Sequence, residues 1–481
     1  MRYPLLSKFM SLLLLLLLLA IALMRIGYLV DERRGRQLEA VRSVEQSHAG
    51  AQTLMGPWLQ RQCTEEWEVV SGEGKDRKTT AEKRPVVLRV VPDALTVDGQ
   101  LRTDVRQRGL YRINSYGAAL NLAADWRAVP DLQPQREHAG SRVQCEPTRL
   151  LLAISDVRGV RAAELQLAGQ PAALRAGTHS GVYPNGVHVE LPAAWQGDGA
   201  RSPLSVTLKL ALAGTGELSL VPVAEATRWS VTSDWPHPSF FGRFLPSQRT
   251  VRDNGFDAVW QVSSLASGAA GQLARGVPLC DGSLRSESLA MDAPSPRPVG
   301  GCLDTLSVAF FDPVNPYVLS DRAIKYGLLF VVLTFVAVAL IEVLSGRRVH
   351  PVQYLLVGLA LSLFFLLLLS LSEHLPFERA YAAAASACAA LLGYYAAHML
   401  GRWLAGLAFG AAIALLYGLL YLLLQMEQNA LAVGSLGLFV ALTAVMVLTR
   451  RIDWYALFDG LRRGGEPRGP GSGAAGPAAS A

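Results

Sequence analysis

The sequence predicts an α+β membrane protein, with six transmembrane helices (one N-terminal, five C-terminal) and a large β-rich, sandwich-like domain between them. Three observations carry this reading. Apolar residues crowd into both ends of the 481-residue chain, which has a mean hydropathy of +0.26 and only 17% charged residues, too apolar for an ordinary soluble protein. The middle has the mixed composition of a water-soluble domain and breaks into short alternating runs bounded by turn residues. Lys and Arg cluster in alternate loops between the apolar runs, where they set topology. The net charge of +6 comes with no basic stripe interleaved with aromatics, so no nucleic-acid partner is expected.

Residues 9–30 are apolar except for Arg25 and begin with an unbroken leucine run at 12–19. About 20 residues cross a hydrocarbon core of roughly 30 Å, so this segment is long enough to span. Arg2 and Lys8 precede it and hold residues 1–8 in the cytoplasm. Ala20-Ile21-Ala22 resembles a small-residue cleavage site, which makes a signal peptide the competing reading. The apolar run resumes at 26–30 beyond Arg25, which favours an uncleaved anchor. Five further runs, 326–344, 354–371, 380–400, 404–424 and 431–449, have the length of spanning helices. Arg347 and Arg348, Arg402, and Arg450 and Arg451 mark cytoplasmic loops; the opposite loops hold Glu373, His374, Glu378 and Arg379, then only Glu427. Both termini are therefore expected inside, and residues 31–322 outside the cytoplasm.

Residues 31–58 read as a juxtamembrane amphipathic helix, with Leu38, Val41, Val44, His48, Ala51 and Leu54 near helical spacing and Gly56-Pro57 as its stop. From residue 86 the pattern turns to β-strands: 86–91, 150–154, 186–191, 206–212, 217–221 and 256–262. Gly214-Thr215-Gly216 sits between two of these and reads as a hairpin turn. Four of the five cysteines, Cys63, Cys145, Cys280 and Cys302, fall in this domain, where three connectivities are open to them. Cys280 and Cys302 flank a loop with Pro294, Pro296 and Pro298 and are the expected disulfide pair. Cys388, inside the fourth transmembrane helix, reads as a small packing residue.

No P-loop, HExxH, GxSxG or Rossmann glycine pattern is present. No catalytic residue, metal site or cofactor is expected. His237, with Ser233 and Asp234 beside it, sits in a stretch too short to supply a triad's geometry. Trp235, His237 and Phe240 instead form a proline-stiffened aromatic loop, the candidate interaction loop. Glu342 is the one carboxylate well inside a predicted span; intramembrane carboxylates can mark ion pathways. It stands about a turn from Arg347 and Arg348, so pairing at the interface is the simpler reading.

Several stretches closely resemble the inner-membrane protein CreD family, also called cell envelope integrity protein CreD. They are Leu319-Ser320-Asp321-Arg322-Ala323-Ile324-Lys325-Tyr326, His350-Pro351-Val352-Gln353-Tyr354, Leu369-Ser370-Leu371-Ser372-Glu373-His374 and Thr449-Arg450-Arg451-Ile452-Asp453-Trp454-Tyr455. The soluble domain adds Leu212-Ala213-Gly214-Thr215-Gly216-Glu217-Leu218-Ser219, Thr232-Ser233-Asp234-Trp235-Pro236-His237-Pro238 and Gly50-Ala51-Gln52-Thr53-Leu54-Met55-Gly56-Pro57. The likeness covers about residues 3–457. It implies a Gram-negative inner-membrane protein that supports envelope integrity and is produced under a two-component system tied to metabolic state and β-lactam stress. The resemblance brings no catalytic residues, and the four domain cysteines stand outside its signature. The cytoplasmic tail, 450–481, is expected to be disordered from about 464, where Gly, Pro, Ala and Ser dominate.

The expectation is thus a non-enzymatic protein acting through its extracytoplasmic domain on envelope components, with the lipid bilayer as its constant partner. The rival is a transporter or lipid-handling protein working through the C-terminal helix bundle. A deep polar cavity between the helices would favour the rival, an apolar bundle the first reading.

Overall fold

A computed structural model describes residues 4–71, 78–196, 202–279, 302–310, 315–345, 349–426 and 430–450. The chain divides into two compact units, Arg36–Pro313 and the combination of Met1–Gly35 with Val314–Ala481. Helix α1 (Pro4–Ser47) contributes to both. The predicted juxtamembrane helix therefore stops at Ser47 and does not reach residue 58. From Gln52 the chain is β-strand, and Gly56–Pro57 is a cis peptide within the first strand. The spacing that suggested a helix over 48–54 is overridden by strand pairing on either side.

In Arg36–Pro313 the described strands follow one another from β1 to β10: β1 (Gln52–Ser71), β2 (Lys78–Val90), β3 (Ala94–Arg108), β4 (Tyr111–Trp126), β5 (Arg142–Cys145), β6 (Arg149–Ile154), β7 (Val160–Leu167), β8 (Gln170–Ala172), β9 (Arg175–Ala176) and β10 (Gly186–Glu190). Then come β11 (Leu204–Thr215), β12 (Glu217–Val221), β13 (Ala226–Ser233), β14 (Pro238–Gly242), β15 (Gln248–Arg252), β16 (Gly255–Ser263), the short helix α2 (Ala269–Arg275) and β17 (Leu306–Phe310). They form two sheets. One runs β14-β17-β12-β1-β6-β10-β9, with β2 and β5 paired to β1; the other runs β15-β16-β13-β3-β4-β11-β7-β8.

Alternation along the strands explains the layering. On β4, Ala118, Leu120, Leu122, Ala124 and Trp126 are buried while the residues between them are exposed, as one core-facing side requires. Leu54, Leu150, Leu152, Leu218 and Val308 of the first sheet meet Leu95, Leu120, Leu208 and Trp229 of the second in one core. Trp229 faces Trp260 across the β13–β16 ladder, their rings stacked 4.5 Å apart, a cross-strand aromatic pair of the stabilising kind. The domain is thus a β-sandwich.

One expected turn is corrected. Gly214-Thr215-Gly216 does not close a hairpin: β11 pairs with β4 and β7 in one sheet, and β12 with β1 and β17 in the other. The chain crosses between sheets at Gly216, whose φ of +74° a residue without Cβ adopts freely.

The other unit is helical: the first part of α1, then α3 (Pro316–Ser345), α4 (Pro351–Ser372), α5 (Phe377–Leu400), α6 (Trp403–Gln425) and α7 (Ala430–Thr449). Five described helices, α1 and α3 to α6, are long and apolar enough to cross a membrane; the described apolar part of α7, Ala432–Val447, is shorter. Helix α4 opens on a capping box, Val352 N donating to His350 Nδ1 (3.3 Å) and His350 N donating to Gln353 Oε1 (3.0 Å), with Pro351 in the first turn.

Small residues set the helix contacts. A Cβ at Gly406 would lie 2.4 Å from the Ala397 Cβ, and one at Gly410 3.2 Å from the Gly393 Cα. Helices α5 and α6 therefore approach closely on a Gly-x-x-x-Gly face. On α1, Leu19 and Leu23 are buried. Leu19 fills the space over Gly358 of α4, where an added Cβ would come within 2.2 Å of its Cδ1, and Leu23 lies against Gly327 of α3.

Candidate functional site

Polar side chains concentrate in four places. The first is where the chain enters the sandwich. Gln52, fully buried at the start of β1, donates from Nε2 to the carbonyls of Asp156 (3.0 Å) and Ala213 (3.1 Å). A Cβ at Gly159 would fall 2.3 Å from both Gln52 Nε2 and the Ala213 carbonyl oxygen. Thr215 Oγ1 donates to the Ala49 carbonyl (2.8 Å), and Tyr116 Oη to the Glu217 carbonyl (2.6 Å). Burial pushes the Tyr116 phenol well up, so it remains a donor. Ser219 Oγ donates to the Glu217 carboxylate (2.6 Å) and also lies 2.6 Å from Ser307 Oγ. The Asp156 carboxylate accepts from Gly50 N (3.1 Å) and from Arg158. Burial raises the Asp156 pKa, but the bonds from Arg158 and Gly50 outweigh it and leave the acid below its ordinary range. Two sequence stretches some 160 residues apart, 50–57 and 212–219, are thus neighbours in the parallel β1–β12 pair. Most of their polar groups are taken up in building the fold, while Gln52 Oε1 is buried without a hydrogen-bond partner among the described residues.

The second place is on the far half of β1. The Glu65 carboxylate accepts from Ser141 Oγ (2.7 Å), from the backbone N–H groups of Glu137 (3.0 Å) and His138 (3.1 Å), and from Arg84 (2.9 Å). The Ser141 hydroxyl first, then those amides and Arg84, holds its pKa down to about 2. Arg84 also pairs with Glu137, and His138 stacks on Trp67 at 3.8 Å. Two residue pairs back along β1, Cys63 is bonded to Cys145 of β5, its cross-strand partner. The described disulfide is therefore Cys63–Cys145, which sequence spacing did not single out, because the two lie 82 residues apart. Cys280 lies outside the described residues, and so does the expected Cys280–Cys302 bridge.

The third is the candidate interaction loop. It is the crossover from β13 to β14. Asp234 Oδ1 accepts from Thr103 N (2.9 Å) and Thr103 Oγ1 (3.0 Å), and Trp235 Nε1 donates to the His237 carbonyl (2.9 Å). Phe240 lies in β14 with its ring against Phe256 (5.4 Å) and Trp260 (5.6 Å). Trp235 also packs on the core. His237 is the exposed member of the three.

The fourth is in the helical unit. Glu342 pairs with Lys8 of α1 and accepts from Tyr354 Oη (3.0 Å); Lys8 Nζ also sits 5.9 Å over the Tyr354 ring. The expected partners, Arg347 and Arg348, lie outside the described residues. Arg33, 25 residues further along α1, pairs with Glu373 at 3.6 Å. Buried Cys388 donates to the Ala360 carbonyl (3.1 Å) and accepts from Tyr417 Oη (3.3 Å). A cavity of about 240 Å³ between α3, α6 and α7 is lined by Leu333, Leu416, Leu423 and Leu438, with Tyr326 and Ser435 as its polar members.

Among the described residues, no three His, Cys, Asp or Glu side chains come together as metal ligands. The Lys8–Glu342 pair escaped sequence reasoning because its members are 334 residues apart; a lone lysine before the first apolar run was the available signal. Glu65 gave no signal, being one acid among several on an alternating strand.

The family model described as inner membrane protein CreD matches residues 4–455. The chain belongs to the CreD family of inner membrane proteins. The inner membrane protein CreD of Escherichia coli (strain K12) is 34% identical over 456 residues, covering 95% of each chain. Among solved structures, an M1 zinc metallopeptidase from Deinococcus radiodurans aligns over 45% of this chain and 41% of its own, at 13% identity and a TM-score of 0.21. A mutant of that enzyme gives 12% identity and a TM-score of 0.22, over 45% and 42%. The chain spans less than half the length of those enzymes, and a likeness this slight carries no argument. The CreD family assignment, by contrast, extends over both units, so the sandwich and the apolar helices are parts of one inner membrane protein.

Proposed function

We propose that this CreD family member is a non-enzymatic inner-membrane protein that supports cell envelope integrity and the envelope stress response through its β-sandwich. Six spans, with both termini in the cytoplasm, leave the sandwich in the periplasm. The observation that carries this reading is the Cys63–Cys145 disulfide inside the sandwich, since such bonds persist in oxidising compartments and are rare in the cytosol. The alternation of Arg402 and Arg450 with acidic loops supports the same orientation. The Gln52 amide nitrogen and the Glu65 carboxylate are held by structural hydrogen bonds, which suits a rigid binding body.

The test is complementation of a deletion strain challenged with detergent. Variants at exposed sandwich positions such as His237 are expected to lose rescue at normal membrane abundance. Full rescue by every exposed-position variant would refute a working surface on the sandwich. One observation favours the second reading, a transporter or lipid-handling protein: the cavity between α3, α6 and α7. Its leucine lining suits an acyl chain and not an ion. Loss of rescue on filling that cavity with Gly437→Phe, at normal abundance, would move the function to the bundle.

A further inference from the structure

The cavity between α3, α6 and α7 is elongated along the helices. Its lining runs from Tyr326 to Leu333 on α3, from Leu416 to Leu423 on α6 and from Gly434 to Ala441 on α7. Most of these residues are spaced three or four apart, so each helix contributes one face.

The three faces lie side by side. Connections of five, four and two residues join α3 to α4, α4 to α5 and α5 to α6. Each is short enough to reverse the chain, so α6 runs opposite to α3. Helix α7 is antiparallel to α6: a Cβ on Gly434 would lie 3.8 Å from Leu423 Cδ2, and one on Gly437 3.1 Å from Leu419 Cδ2. Tyr326, Leu423 and Ser435 therefore share one level, near the ends of α6 and α7 at Gln425 and Ala430. Leu333, Leu416 and Ala441 share the other.

Seven residues of helix rise about 10 Å, against about 15 Å for half of a hydrocarbon core. The cavity is thus a slot that enters from one membrane face and stays within one leaflet. Its volume of about 240 Å³, spread over that length, gives a width of about 5 Å. One methylene chain has that width, its carbons touching neighbours at about 4 Å. Polarity is graded along the slot. Its hydroxyl-bearing members, Tyr326 and Ser435, stand at the end nearest the helix termini, where a membrane interface favours tyrosine. Ser435 Oγ donates to the Ala432 carbonyl (3.0 Å), which leaves its lone pairs to accept. Empty, the slot would forfeit dispersion contacts along its whole lining, and its leucines offer water no partners. The bilayer around the apolar helices supplies one filler in quantity, the lipid tail.

We propose that one acyl chain of a resident phospholipid fills this slot, with its ester and headgroup at Tyr326 and Ser435 and its tail between Leu333, Leu416 and Ala441. The proposal rests on the acyl-chain reading of the cavity and goes further, fixing the number of chains and their direction. It makes the lipid a part of the helical unit, whichever unit carries the envelope function.

The full-length protein is placed in nanodiscs of phosphatidylethanolamine and phosphatidylglycerol, whose two leaflets are identical. A trace of phosphatidylethanolamine carries a diazirine at the middle of one acyl chain, and adducts are mapped on peptides after illumination. Adducts are expected at Leu333, Leu416 and Ala441. Their yield should stand about five-fold above that at the outward α7 residues Phe439 and Val440, since the slot touches a chain on three sides. A probe with the diazirine close to the ester is expected to label the Tyr326 and Ser435 end instead. Ala441→Phe is expected to lower slot labelling about ten-fold by overfilling the deep end, whereas Val440→Phe leaves it unchanged. Gly437→Phe is the second filled variant, should the first lower the thermal midpoint, and the wild-type map stands without either. Uniform labelling around α7, a reversed order of the two probes, or slot labelling that survives both filled variants overturns the proposal. Rescue in cells is a separate readout: labelling lost with rescue kept supports a resident lipid and removes the transporter reading.

Discussion

Glu65 shows how one side chain organises its surroundings. Four donors converge on its carboxylate, and they keep its pKa near 2 in the folded state against an ordinary 4.5. A carboxyl depressed on folding stabilises the fold above its ordinary pKa and loses that contribution as pH falls toward the folded value. Between about pH 4.5 and 2 the segment 137–141 is therefore expected to detach, read as a change in Trp67 fluorescence when the stack with His138 opens. Glu65→Gln should show the detached signal already at neutral pH; a wild-type signal there would refute the assignment.

Glu342 is the contrasting case. Its carboxylate is 15% exposed and held by Lys8 and Tyr354, so it reads as a strut. Glu342→Gln is expected to retain rescue in the detergent assay, and the Lys8→Met, Glu342→Gln cycle to give a coupling of about 1 kcal/mol. Loss of rescue at normal abundance would instead point to proton chemistry in the bundle. The acid was legible in the sequence as an oddity; its partner was not, because charge pairing across 334 residues has no local trace.

At the scale of elements, α1 is the informative one. Its apolar run and length were readable from composition, and so was the ambiguity with a cleavable signal. Packing settles what it does within the helical unit: Leu19 and Leu23 are buried against Gly358 and Gly327, and Lys8 and Arg33 pair with Glu342 and Glu373. A helix held in this way is expected to stay attached, so N-terminal analysis of the purified protein should recover sequence ahead of Ala20. Gly358→Val forces a methyl-bearing Cβ into the Leu19 side chain, which should cost about 1–3 kcal/mol. Adding Leu19→Ala should recover much of it. If the two substitutions are simply additive, the contact is not the one described. The β elements were read well where alternation is clean and badly at Gly214–Gly216, where the same turn residues serve a crossover between sheets and not a hairpin.

For the whole molecule, the order of segments makes the prediction. Reporter fusions near residues 150, 375 and 428 are expected to behave as periplasmic, and those at 348, 402 and 455 as cytoplasmic. An inverted result at 375 or 402 would remove the six-span topology. Non-reducing peptide mapping should recover both Cys63–Cys145 and Cys280–Cys302. Closing a loop of 82 residues limits the unfolded chain enough to stabilise by about 4–5 kcal/mol in the chain-entropy account, so Cys63→Ala should visibly lower the unfolding midpoint.

The sequence by itself determined the class, because membrane spans and alternating strands are local patterns that a window of ten to twenty residues contains. It also carried the family resemblance, through stretches such as 50–57, 212–219 and 350–354, without saying what those stretches do. Only the tertiary structure decided that: two of them meet at Gln52 to seat the sandwich on its first strand, and the third caps α4 and places Tyr354 on Glu342. Hydrogen bonds, ion pairs and a disulfide between residues 80 to 330 positions apart depend on where distant segments come to rest, and no local pattern encodes that distance.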